Sequence, residues 1–159
     1  MEIGMSKLIS INIKQDDFNL PTPEVLQEQN LAIYDLEQNN FFQLVGFESH
    51  IQIKLNISLS GNSLVFEISS SFDELLKTFF LSLTPLKQII NDYCTICESY
   101  FNAVKNLPLD KIESIDMGRK GIHNEGARVI MERLAGRIET DLETSRRIFT
   151  LIYALTYER

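Results

Sequence analysis

From Ile51 to Ile68 the chain alternates with few interruptions. Ile51, Ile53, Leu55, Ile57 and Leu59 are spaced by Gln52, Lys54, Asn56 and Ser58, and the alternation resumes at Leu64, Phe66 and Ile68 after Ser60-Gly61-Asn62-Ser63. A period of two puts every apolar residue on one side of an extended strand. Small polar residues with a glycine between two such runs fold the second back on the first. The stretch therefore predicts a β-hairpin with one apolar face, which a neighbouring element has to cover.

The same period appears at Lys7 to Lys14, where Ile9, Ile11 and Ile13 oppose Ser10, Asn12 and Lys14. A connector from Asp16 to Pro21 leads to Thr22 and Pro23, a cap followed by a proline at the first helical position. Leu26, Ile33 and Leu36 then share a helical face, which Asn39 and Asn40 close as residues tolerant of left-handed backbone. Short strands are expected at Phe41 to Val45 and Leu75 to Leu83. Beyond Leu83 the period changes to that of a helix. Thr84-Pro85 opens one that carries Leu86, Ile89, Ile90, Tyr93, Cys97, Tyr100, Phe101 and Val104 down to Asn106. Helix resumes near Asp110, Gly136 stops it, Arg137 to Thr140 read as extended, and Thr140 with Glu143 form a capping box for a last helix to Tyr157. The expected fold is α+β, with residues 1–159 as one domain. An antiparallel meander of about four or five strands, residues 7–83, packs against a helical half, residues 84–157.

Apolar content of 44% and charged content of 23% are those of an ordinary globular chain, and 159 residues suffice for a core without disulfide staples. A net charge of −7 argues against a surface that grips nucleic acid throughout. No apolar run approaches the roughly 20 residues of a membrane span. The start, Met-Glu-Ile-Gly-Met-Ser-Lys, lacks the layout of a secretory leader, and Met5 is an alternative initiator; the expected location is the cytoplasm. Cys94 and Cys97 form a Cys-x-x-Cys pair. Redox chemistry of that kind needs the thiols at a helix N-terminus, whereas these lie about two turns inside a helix on its apolar side. With only His50 and His123 as further soft ligands, neither a metal nor another cofactor is expected, and the cysteines read as core residues.

Chemically capable side chains gather in Ile112 to Gly126, where Asp116, Arg119, Lys120, His123, Asn124 and Glu125 are punctuated by Gly118, Gly121 and Gly126. In one continuous helix Asp116, Lys120, His123 and Asn124 would share a face. Each glycine costs a helix about 1 kcal/mol against alanine, so a break at Gly118–Gly121 is the more natural expectation. Arg119 and Lys120 would then flank the free N–H groups of a new helix start, a ready anion site. Three readings follow from this. One is a structural junction of mutually bonded polar residues. A second is a site for an anionic small molecule with Arg119, Lys120, His123 and Asn124 as ligand-binding residues. Its catalytic form would use His123 as acid or base, with Asp116 and Glu125, on a phosphorylated or carboxylated metabolite. A third takes Gly118-Arg119-Lys120-Gly121 as the Gly-x-x-Gly loop of KH-like nucleic-acid binders, against which the acidic total charge stands.

Several stretches carry a resemblance. Ser82-Leu-Thr-Pro85, Asp92-Tyr93, Ile96-Cys-Glu-Ser-Tyr100, Ile112-Glu113, Ile115-Asp-Met-Gly-Arg-Lys-Gly-Ile-His-Asn-Glu-Gly126, Glu132-Arg133-Leu134, and Arg146-Arg147 through Leu151-Ile152 resemble the uncharacterised alphaproteobacterial family UPF0262. The resemblance implies a bacterial cytosolic protein and brings no activity with it. The chain departs from the family's pattern at Cys94, where an aromatic is expected, which further weakens a working cysteine pair. The expected role is that of a small binding or interaction protein with an anion-friendly site around 116–125. Residues 148–155, apolar nearly all round, are expected either to be sandwiched in the core or to form a homodimer contact.

Overall fold

The computed structural model describes residues 7–14, 21–47 and 51–157. The start at Met5, most of the connector before Pro21, and His50 lie outside them. In chain order the elements are β1 (Lys7–Ile13), α1 (Pro23–Gln38), β2 (Phe42–Leu44), β3 (Gln52–Ser60), β4 (Ser63–Ser70) and β5 (Leu75–Ser82). A 3-10 turn at Thr84–Leu86 leads into α2 (Lys87–Asn106), followed by α3 (Leu109–Leu134), β6 (Ile138–Thr140) and α4 (Leu142–Thr156).

The fold is α+β, with a four-stranded sheet in the order β1-β3-β4-β5. The hairpin is present: Ser60 pairs with Ser63, and Leu55 and Ile57 stand opposite Ile68 and Phe66. Gly61 takes a φ of +59° while Asn62 stays on the negative side, which is how a two-residue II′ turn follows the twist of its strands. Phe79 of β5 stacks on Phe66 with ring centroids 5.0 Å apart. The meander therefore holds for β3, β4 and β5, all antiparallel.

β1 corrects it, because it runs parallel to β3 and makes the sheet mixed. Parallel neighbours need a long crossover, and α1 lies in that connection, packed on β1. The face of β1 is also not the expected one throughout. The register slips between Leu8 and Ser10, so Leu8, Ile11 and Ile13 are buried and Ile9 is the extra residue of a bulge. Phe42–Leu44 does not join this sheet at all; it pairs antiparallel with Ile138–Thr140 in a separate ribbon.

Helix ends follow side-chain chemistry with small shifts from expectation. Thr22 Oγ1 accepts from Val25 N, and Pro23 opens α1 as expected. Asn39 is extended rather than left-handed, and the closing side chain is Asn40. Its Nδ2 donates to the carbonyls of Leu36 and Leu8, and its Oδ1 accepts from Leu8 N, which fastens α1 to β1. The buried face of α1 is Val25, Gln29, Ala32 and Leu36, while Leu26 is exposed. For α4 the cap is Asp141 rather than Thr140: Asp141 Oδ1 accepts from Thr144 N at 2.8 Å.

α4 is the centre of the packing. Ile148, Phe149, Leu151, Ile152, Tyr153 and Ala154 are all buried against the sheet and the other helices. Of the two expectations for 148–155 the chain shows the sandwiched one, since residues 148–154 are covered by its own elements and Leu155 is half-buried.

α3 settles the central stretch as well. It is one unbroken helix from Leu109 to Leu134, so no break opens at Gly118–Gly121. Gly-x-x-Gly is thus helix interior and not a loop, and no free N–H groups follow Gly121. Two of the glycines serve close packing instead. A Cβ at Gly126 would collide with the Phe149 ring, and one at Gly118 would stand 2.9 Å from Ile96 Cδ1. Among the described residues no helix is long and apolar enough to cross a membrane.

Candidate functional site

α1, remote in sequence, meets the consecutive helices α3 and α4 around a cleft of about 250 Å³. α1 contributes Glu28, Leu31, Ala32 and Asp35; α3 contributes Arg119 and His123; α4 contributes Arg146, Arg147 and Thr150; and Tyr93 of α2 adds a fourth wall. The placement follows from helical spacing. Arg119 and His123 are four residues apart, as are Arg146 and Thr150, so each pair shares a helix face. Glu28 and Asp35 are seven apart, again on one face.

Arg119 anchors one end. Its Nη2 and Nε donate to Asp116 Oδ1 at 2.7 and 3.1 Å, and its Nη1 reaches Glu28 Oε1 at 3.4 Å. The guanidinium also lies 4.2 Å from the centroid of the Tyr100 ring. The Arg119 hydrogen bonds, aided by Lys120 and opposed by partial desolvation, hold the Asp116 carboxyl below its ordinary range. Lys120 bonds the other Asp116 oxygen at 3.1 Å, but its side chain is 63% exposed and lies outside the cleft.

His123 is fully engaged. Arg146 Nε donates to Nδ1 at 3.3 Å, which leaves the proton on Nε2 to be donated to Thr150 Oγ1 at 2.7 Å. Thr150 Oγ1 in turn donates to the Arg146 carbonyl at 3.2 Å. The three bonds close a ring between α3 and α4, and they require a neutral imidazole with a defined tautomer. Burial, then the guanidiniums of Arg146, Arg119 and Arg147, bring the His123 pKa down to about 4, with Glu143 opposing. An imidazole with both nitrogens occupied and a pKa far below neutrality is not placed as an acid or base for a ligand at pH 7.

Of the residues singled out in the sequence, Arg119 and His123 come together in the cleft. Asp116 stands behind Arg119 as its counter-charge. Asn124 and Glu125 do not line the cleft; Glu125 is exposed, and Asn124 Oδ1 is shut off from solvent with no hydrogen-bond partner among the described residues. Arg146 and Arg147 were not foreseen as site residues. Arg147 holds Glu143 at 2.8 Å and faces Asp35 at 3.6 Å, and Arg146 meets Glu143 at 3.3 Å. Adjacent arginines at the start of an otherwise apolar helix were the available signal. Among the described residues no three His, Cys, Asp or Glu side chains gather as metal ligands would.

Taken together, the chain is an α+β protein with an arginine-lined interhelical cleft. It belongs to the uncharacterised protein family UPF0262, whose sequence model matches residues 5–158. It is 49% identical over 152 residues to a UPF0262 protein of Ruegeria pomeroyi, covering 92% of this chain and 94% of the relative. A UPF0262 protein of Dinoroseobacter shibae is 46% identical over 157 residues, covering 96% and 99%. A third, from Bradyrhizobium sp., is 39% identical over 153 residues, covering 96% and 91%. No solved structure matches the chain.

Proposed function

We propose that this is a small-anion-binding protein whose cleft between α1, α3 and α4 takes a phosphate or carboxylate group through Arg146, Arg147 and Arg119. The anion site moves from residues 116–125 to a position one helix face away, and Lys120 drops out of it. The observation that carries the reading is the convergence of three guanidiniums from two helices on one cleft. Guanidinium is always charged and presents a planar fork that matches carboxylate and phosphate oxygens. Arg146 spends its Nε on His123 and its Nη1 on Glu143, and among the described residues its Nη2 has no acceptor. The neutral His123 orients Arg146 without cancelling its charge.

Titration calorimetry with inorganic phosphate and with acetate tests this on the purified full chain. The expected result is saturable binding that Arg146→Gln weakens by roughly tenfold or more, as expected for a lost charge-assisted hydrogen bond. Absence of binding by either anion removes the reading, and so does binding that survives Arg146→Gln and Arg147→Gln unchanged.

A further inference from the structure

A larger cleft, of about 400 Å³, lies between the first half of α2 and the end of α4. Among the described residues it shares no side chain with the arginine cleft. Its floor is apolar, with Leu83, Ile90 and Tyr153 all buried. Lys87, Asn91 and Cys94 line it from α2 at spacings of four and three, a single helix stripe that rises about 10 Å. No carboxylate lines it among the described residues, although the chain carries a net charge of −7. Lys87 has no ion pair or hydrogen bond from its side chain among the described residues. Where an acid four residues on would meet it, the helix has Asn91. Asp92, the next residue, accepts instead from Gln88 at 2.9 Å. The Asn91 amide makes no hydrogen bond among the described residues either, while Thr156 gives its hydroxyl hydrogen to the Ile152 carbonyl at 2.8 Å. Lys87 and Asn91 thus set an ammonium and an amide, both uncommitted, at one end of an apolar slot.

We propose that this cleft binds a monocarboxylic acid with an apolar body, its carboxylate on Lys87 and Asn91 and its chain running over Ile90 toward Cys94. One ammonium meets one negative charge, and the two oxygens of a carboxylate accept from the ammonium and the amide together. Laying the chain on Leu83, Ile90 and Tyr153 takes apolar surface out of water, which supplies the larger part of the binding. The direction is set by charge. Cys94 Sγ lies 4.0 Å from Glu98 Oε1, so a second carboxylate beyond the thiol opposes the reversed ligand. An extended octanoate matches the length of the stripe.

Cys94 reports on the cleft directly. The full chain is treated with a bulky disulfide reagent in inorganic phosphate buffer, and labelling of Cys94 is followed by mass spectrometry at rising octanoate, octanol or acetate. Octanoate should slow the labelling saturably, octanol should need a roughly tenfold higher concentration or more, and acetate, lacking the chain, should have no effect. Lys87→Gln changes an exposed side chain and should bring octanoate to the level of octanol. The proposal falls if octanoate gives no protection, if octanol or acetate protects equally well, or if the preference for octanoate persists in Lys87→Gln. A Cys94 that never labels in the free protein would show the cleft shut, and would overturn it as well.

Discussion

Arg146 Nε lies 3.3 Å from His123 Nδ1, and that contact makes the histidine a neutral acceptor that fixes an arginine. The usual expectation for a histidine beside cations is a proton carrier; here it is a spacer between α3 and α4. Its second nitrogen is bonded to Thr150, so protonation breaks the ring of three bonds.

Acid should therefore destabilise the protein before most carboxylates titrate. The His123 pKa falls from 6.5 to about 4 on folding, so between these values the unfolded chain binds more protons than the native one. Stability from this group is fully present above about pH 6.5 and is lost as pH falls through about 4, on the order of 3 kcal/mol in all. Glu28, with its raised pKa, tilts the other way, being most favourable at low pH and losing its contribution as pH rises through its folded pKa. Urea midpoints from pH 7.5 to 4 should fall, and His123→Gln should flatten the fall. A flat wild-type profile would contradict the neutral assignment.

The glycines of α3 should separate by packing. Gly121 is exposed with open space where a Cβ would go, so Gly121→Ala should stabilise by about 0.5–1 kcal/mol. Gly126→Ala pushes a methyl group into the Phe149 ring in the core and should cost about 1–3 kcal/mol. Denaturant midpoints of the two variants should move in opposite directions; a shared direction would mean that the helix, not its packing, dominates.

Arg119 and Lys120 are neighbours with different standing. Lys120 is an exposed partner of Asp116, and Lys120→Gln should change stability by less than about 1 kcal/mol. Arg119 is only 22% exposed, holds Asp116 and Glu28, and covers Tyr100. Arg119→Gln should cost about 1–3 kcal/mol, because Asp116 and Glu28 lose their charged donor. Equal midpoints for the two variants would show that Arg119 is no strut.

The cysteines should differ in reactivity. Cys97 is fully buried, and burial, with Glu28 nearby, pushes its thiol up to about 12. It should resist a bulky disulfide reagent in the native protein at pH 8. Cys94 is half-buried, not core as expected, and lines a second cleft of about 400 Å³ with Leu83, Ile90 and Tyr153. Burial, then Glu98, raises its pKa too, so it should label, but more slowly than a free thiol. Counting labelled thiols against time by mass spectrometry checks both.

Local period was enough to place most elements. Alternation from Ile51 to Ile68 leaves no extended arrangement but a one-faced hairpin, and Thr22-Pro23 starts a helix wherever it stands. These features depend on neighbours within a few residues, where backbone geometry alone decides. The bulge at Ile9 was invisible because both Leu8 and Ile9 are apolar, and only the register against β3 selects Leu8 for the core. The glycines of α3 read as a break because propensity counts their cost and not their neighbours. Only the approach of Ile96 and Phe149 shows why two of them are tolerated.

The candidate site divides along the same line. The sequence by itself put Asp116, Lys120, His123 and Asn124 on one face of a continuous helix, and the four-residue spacing that brings Arg119 beside His123 went unread until the helix proved unbroken. Only the tertiary structure decided that this face meets Arg146, Arg147 and Thr150 of α4 and Glu28 and Asp35 of α1. Charges on three separate helices acquire a common cleft through the way apolar faces pack, and no local spacing encodes it. The packing so assigned also decided protonation, because burial first and then Arg146, twenty-three residues away in the chain, keep His123 neutral.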